Sequence, residues 1–341
     1  MGFFRRKAAP ASVHPISKFW QWWTSKGAAR FSAAAATGQW GDLPNEMSQQ
    51  LAAIDPDLAW DTGPGRTSRN LLAVSSEGDA ALRRIAEQWL RSAPAADESW
   101  EYAAARQPAE GVLGNVIEID GHRLRLGDVR FGLKLDSESE CLDIDVHHPL
   151  FVEMTEDGPL RVSFLLLDWI LGEDGVERWV RAIEITDNGE TATATASDLT
   201  AAIDAMAAQA QADKWVLMEG MTHGGERVIV SARRPLRWID YPLFDLHTEI
   251  RIPYDDKRDD GLPTVDSLDS LRGIEDDISA ALGARGILVA HETAAGARLL
   301  HYYSDSEDQN GRDAIETAAR VAGGATRHDP DPGWKHVRRF A

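Results

Sequence analysis

The sequence predicts an α+β protein of two domains, each a mainly antiparallel sheet with packed helices. Three observations lead there. Strand-like stretches come in runs, from Trp100 and again from Lys214, instead of alternating singly with helices as a βαβ parallel sheet requires. Helical periodicity is confined to separate blocks. The length, 341 residues, suits two domains at roughly 100–200 residues each. Hydrophobic residues make up 43% and charged residues 27%, enough to build a core. The divisions expected are a flexible basic arm over 1–15, an N-terminal domain over 16–195, a helical connector over 196–213 and a second domain over 214–341.

From the N-terminus, Phe19–Ala36 reads as a helix, with Trp20, Trp23, Ala28 and Phe31 as a rough apolar stripe. Such a stripe is a candidate binding face, but it more commonly docks a helix on the core, because buried aromatics dominate core energetics. A second helix starts near Pro44, a good first-turn residue, and stops before Asp55-Pro56. LAWDTG and NLLAVSS read as two short strands joined by a Gly/Pro turn. Leu82, Ile85, Ala86, Trp89 and Leu90 fall at helical spacing in the next block.

WEYAAARQ, GNVIEIDGHRLRL, CLDIDVHHP and RAIEIT then read as strands. The apolar run Val162–Leu171 is expected to be a central strand buried on both faces. Thr195–Gln211 is an Ala-rich helix with Leu199, Ile203, Met206 and Ala210 on one side, placed to bridge the domains. In the last third, KWVLMEG and ERVIVSARRP form a hairpin around His223-Gly224-Gly225, and FDLHTEIRIPY is a third strand. A helix follows with Leu268, Leu271, Ile274, Ile278 and Leu282 inward. Ile287–Ser304 is a second hairpin, and IETAARVAG the final helix.

The formal net charge of −19 disfavours phosphate backbones and anionic membranes, since binding either relies on Lys and Arg. Neither a nucleic acid nor a membrane is an expected partner. The single Cys141 allows no intrachain disulfide and no all-cysteine zinc site, and it fits a reducing, cytoplasmic setting. MGFFRRKAAP has basic residues with no apolar stretch after them, and Arg6 breaks the myristoylation pattern, so no leader or lipid anchor is expected.

CLDIDVHHP gathers a thiol, two carboxylates and two imidazoles. With a period of two, Cys141, Asp143, Asp145 and His147 share one strand face, and Leu142, Ile144 and Val146 the other. Same-face neighbours lie roughly 6.5–7 Å apart, so four of them cannot converge on one ion held at about 2–2.6 Å. The plainer reading is a solvated face. Asp256 begins a calcium-like loop, but Arg258 cannot ligate calcium and Ser267 stands where the loop requires a Glu. HETAA at His291 lacks a second zinc-protease His, Gly63–Gly65 lacks Walker and Rossmann spacing, and no nucleophile elbow is present. No catalytic residue, metal or cofactor is therefore expected.

A turn at Ala294-Ala295-Gly296 sets Glu292 opposite Arg298 as a cross-strand ion pair, worth about 0.2–1 kcal/mol if exposed. It places Leu300 and Tyr302 on that face, and Val289, His291, Thr293, Leu299, His301 and Tyr303 on the other. Glu275, Asp276 and Asp277 lie on the helix expected to pack on this sheet, where a carboxylate near Arg298 would form a buried pair, more commonly structural than catalytic. Glu275, His291, Thr293, Arg298 and Tyr302 are the candidate binding residues. The basic tail GWKHVRRF folds back on the acidic protein or meets a partner.

One further order of residues is familiar. It runs from Trp215 through Tyr241-Pro242, Asp260-Gly261-Leu262-Pro263 and Leu271 with Ile274-Glu275-Asp276. It continues through Thr293, Gly296, Arg298 and Tyr302-Tyr303 to Asp331-Pro332 and Trp334. Over about Lys214–Phe340 this resembles DUF695, a bacterial family without an assigned activity. The resemblance implies no cofactor. It implies a distant likeness to the small regulator that binds and inhibits ribonuclease E, although fold does not transfer function. Gly333 departs slightly from the family's ending. Together with the charge and the missing catalytic signatures, this favours a non-enzymatic binding or regulatory protein with a protein partner. The alternative is an enzyme or small-molecule binder using a pocket in the C-terminal domain. The sequence sets no oligomeric state.

Overall fold

The computed structural model describes residues 14–109, 111–136, 140–155, 157–210, 214–222 and 224–341. It divides into two compact units, Met1–Arg106 and Gln107–Ala341. The expected division near residue 195 therefore falls inside the second unit. Most of the expected basic arm, and His223 of the expected turn, lie outside the described residues. The class is α+β, with mainly antiparallel sheets.

In the first unit, α1 (Pro15–Trp22) passes through a π-helical turn, Trp23–Gly27, into α2 (Ala28–Thr37). Pro15 at the first turn and left-handed Gly38 after the last mark its two ends. After α3 (Leu43–Ala52), strands β1 (Ala59–Pro64) and β2 (Asn70–Ser75) pair antiparallel. The Asp79 side chain caps α4 (Ala80–Arg91) by accepting from the Ala81 and Leu82 amides. Strand β3 (Trp100–Ala103) runs parallel to β2. The helices and sheet enclose an aromatic core in which Phe19, Trp20, Trp23, Phe31, Trp89 and Trp100 are buried. The FWQWW tryptophans thus pack inward. Their polar edges are met too: Trp20 Nε1 donates to the Trp89 carbonyl at 2.9 Å and Trp23 Nε1 to the Tyr102 hydroxyl at 2.9 Å.

The second unit opens with hairpin β4 (Val116–Ile119) and β5 (His122–Arg125). Strands β6 (Arg130–Asp136) and β7 (Cys141–His147) pair antiparallel. The run expected to be a central strand is instead helix α5 (Gly158–Leu171), followed by α6 (Glu173–Trp179). A short apolar run does not separate a buried strand from a buried helix by pattern. Here Gly158-Pro159 opens the helix and Val162, Ser163, Leu166 and Leu167 form its buried stripe, at helical spacing. Strand β8 (Val180–Ile185) lies parallel to β7. Helix α7 (Ala196–Gln209), with a Thr195/Asp198 capping box, packs Leu199 and Ile203 into the core shared by β6, β7 and α5. The helix expected as a connector is part of that core.

The rest is a six-stranded antiparallel sheet in the order β14-β11-β13-β12-β10-β9. Its strands are β9 (Lys214–Met221), β10 (Arg227–Arg234), β11 (Leu246–Pro253), β12 (Gly286–Ala294), β13 (Ala297–Ser304) and β14 (Ala325–Pro330). Helices α8 (Val265–Leu282) and α9 (Gln309–Val321) pack Leu271, Ile278, Leu282 and Ile315 against Ile250, Leu300 and Tyr302. The final turn, Lys335–Phe340, lies on the opposite face, where the Phe340 ring is 5.6 Å from His301.

Gly286 marks a close approach between α8 and the sheet. A Cβ there would sit 2.5 Å from Leu282 Cδ2 and 2.7 Å from the Tyr303 carbonyl oxygen, which cannot move aside without disturbing the ladder. Gly286→Ala is expected to destabilise by about 1–3 kcal/mol, as overpacking does. Chemical denaturation measures it, and an unchanged midpoint would remove the close-approach argument.

Candidate functional site

The face of the sheet under α8 carries most of the candidate residues, though not in the register expected. Hairpin β12–β13 turns on two residues, Ala295 at φ 51° and Gly296 at φ 77°, the paired left-handed geometry that a tight hairpin favours. Ala294 therefore faces Ala297, Thr293 faces Arg298 and Glu292 faces Leu299. This one-residue slip moves His291 and Thr293 onto the face of Arg298 and Tyr302, and sends Glu292 to the other side. The expected Glu292–Arg298 pair does not form.

Arg298, 4% exposed, donates from Nη1 to Glu275 Oε1 at 2.5 Å and from Nε to Thr293 Oγ1 at 2.9 Å. Its Nη2 has no hydrogen-bond partner among the described residues. His291 Nδ1 lies 3.1 Å from Glu275 Oε1, at ion-pair distance but outside good hydrogen-bond direction. Burial alone would raise the Glu275 carboxyl; the adjoining His291 imidazole and Arg298 guanidinium outweigh it and hold the group below its ordinary value.

These groups border a cavity of about 490 Å³, walled by Leu217, Ile229, Leu262, Pro263 and Leu268, with Ser231, Arg258 and Arg272 as further polar groups. It exists because β9 and β10 extend the sheet past the helical cover. Four of the five candidates, Glu275, His291, Thr293 and Arg298, line it. Tyr302 does not: it is buried behind, with its hydroxyl 3.0 Å from Ser279 Oγ. Arg272 escaped the sequence reading, and Leu268 entered it only as an inward position of the helix. The available signal was their place three and seven residues before Glu275, on one helix face.

The reverse face holds a second polar cluster. His247 Nε2 is 3.0 Å from His301 Nδ1, His301 Nε2 is 3.0 Å from Glu292 Oε1, and Arg339 donates to the same Glu292 oxygen at 2.5 Å. Burial would raise Glu292, but His301 and Arg339 outweigh it and hold it low. Burial, with His301 and His336 adding to it, pushes His247 down to about 3. Trp334 is buried and donates from Nε1 to the Phe244 carbonyl at 2.9 Å, so it anchors the tail on the sheet.

The CLDIDVHHP strand behaves as half-buried. Leu142, Ile144 and Val146 are inward, while Arg181 bridges Asp143 and Asp136, and Lys134 Nζ meets Asp145 at 2.9 Å. His148 is buried, with Nε2 3.1 Å from the Arg125 carbonyl. Its donors thus serve separate partners along the strand. No helix among the described residues is long and apolar enough to cross a membrane.

No curated protein and no solved structure matches the chain. Residues 213–340 match the model of DUF695, a family of unknown function, and both clusters lie within the matched region.

Proposed function

We propose that this is a non-enzymatic binding protein whose DUF695-like region seats an extended segment of a protein partner along β9. An apolar side chain of that segment enters the cavity, and an acidic group meets Arg298. The observation that carries this reading is the state of β9. It is the terminal strand of the sheet, and it presents Trp215, Leu217 and Met221 at 43%, 72% and 66% exposure. Leu217 also walls the cavity, and the Trp215 ring stacks 6.1 Å from His291. Exposed apolar edges invite pairing and are ordinarily blunted. An added strand supplies main-chain hydrogen bonds, while pockets for alternate side chains supply specificity.

The polar groups favour binding over catalysis. Glu275 is held ionised by its neighbours, so it is a poor proton acceptor near neutral pH. A bacterial cytoplasm is the setting that the single cysteine and the family resemblance support. One observation favours a second reading, a small carboxylate ligand: the unengaged Nη2 of buried Arg298 faces a cavity of ligand size.

The test is affinity capture from the source cell's lysate at low salt, with the full chain and its Leu217→Asp variant side by side. A near-stoichiometric protein held by the full chain and lost from the folded variant supports the reading. No enriched protein, or equal capture by both, sinks it and leaves the small-ligand reading.

A further inference from the structure

We propose that His247, Asp329 and His336 form a binding site for one divalent transition-metal ion of zinc type. His247 on β11 stands directly opposite Asp329 on β14, and His336 comes from the final turn. A ring nitrogen from each histidine and a carboxylate oxygen of Asp329 lie within 4.8 Å of one another.

The hydrogen-bond chain behind His247 fixes which of its nitrogens is available. Glu292 is tied to Arg339 and accepts, so His301 Nε2 carries the proton that points at it. His301 Nδ1 is then the bare nitrogen and must accept from His247 Nε2–H. That leaves the lone pair of His247 Nδ1 uncovered. This atom is buried in a residue only 3% exposed and has no hydrogen-bond partner. An orphaned buried acceptor costs free energy unless something electropositive meets it. A carboxylate or neighbouring side chain holding the distal N–H of a ligating histidine is the usual support for a metal ligand.

The neighbouring groups agree. Asp331 is spent on the turn: it accepts from the Lys335 and His336 amides at 2.8 Å each, and from the Tyr303 hydroxyl at 2.6 Å. It therefore fixes the backbone that carries His336 and is not a ligand. Asp329 Oδ2 lies 2.9 Å from Arg327 Nε, which leaves its other oxygen for the ion. The His336 ring stacks on His247 at 4.7 Å between centroids. Ligation needs that ring to turn, and it is exposed and free to do so. Two imidazoles and one carboxylate suit zinc, cobalt, nickel or iron and not magnesium or calcium. Three protein ligands leave an open position for water or for a group brought by another molecule.

The test is titration of the chelator-treated full chain with Zn(II) by calorimetry and with Co(II) by visible absorption. The expected result is one equivalent bound, with a histidine-ligated Co(II) spectrum. His336→Ala, at an exposed position, and Asp329→Asn should each weaken binding at least tenfold. Glu292→Leu, which removes the acceptor of the supporting chain without touching the ion, should weaken it 10–100-fold. His291→Ala, on the opposite face, should leave it unchanged. Absence of stoichiometric binding, or binding that survives His336→Ala undiminished, overturns the proposal.

Discussion

Trp23→Ala should lower the stability of the first unit by about 3–5 kcal/mol, the usual cost of deleting a large buried aromatic. Trp23 is fully buried where the helix changes from α to π. Its ring lies 4.9 Å from Trp100, edge to face, 5.4 Å from Phe31 and 5.9 Å from Trp22. Truncation removes these contacts, opens a void, and leaves the Tyr102 hydroxyl without its indole donor. Domains are stable by only about 5–15 kcal/mol, so the loss is a large share. Urea unfolding followed by circular dichroism measures it. A loss below about 1 kcal/mol would show that the aromatic cluster is loosely packed.

Arg298→Met should cost about 3–5 kcal/mol, because it leaves the Glu275 carboxylate buried without its cation. Replacing both partners, Arg298→Met with Glu275→Leu, should recover most of that loss, since a pair of apolar residues carries no unpaired charge. The pH dependence gives an independent check. Glu275 titrates below its ordinary value in the folded protein. The stability it contributes is therefore present above the unfolded carboxylate range, about 4.3, and is lost as pH falls through the lowered folded value. Without Arg298, burial opposes His291 alone, and this acid-side contribution should shrink. Denaturation midpoints measured from pH 3 to pH 7, chosen as roughly one unit below and several above that range, decide it. An unchanged acid slope in Arg298→Met would contradict the ion-pair account.

The elements legible in the sequence are those whose period and punctuation agree. The 82-85-86-89-90 spacing defines α4, and Leu268, Leu271, Ile274, Ile278 and Leu282 define α8. Val162–Leu171 misleads because apolar residues fill most of its positions and blur the helical period, while Gly158-Pro159 marks the start of a helix. The β12–β13 faces exchange because Ala295 adopts a left-handed conformation usually left to Gly or Asn. One residue less in the turn moves every side chain of one strand across the sheet. Hence the slip changes the partner read for Glu292: Thr293 stands opposite Arg298, and Glu292 meets His301 on the other face. The histidine–aspartate trio is invisible in sequence because its members stand on three segments that only the sheet and the tail bring together. No spacing rule connects His247 to Asp329 or His336.

The central claim is that β9 receives the partner. Hydrogen exchange of the full chain, free and with the captured protein added, tests it most directly. The account predicts slowed exchange in amides of Lys214–Met221, with a change in Trp215 emission. Protection confined to other segments, with β9 exchanging as in the free protein, would contradict it.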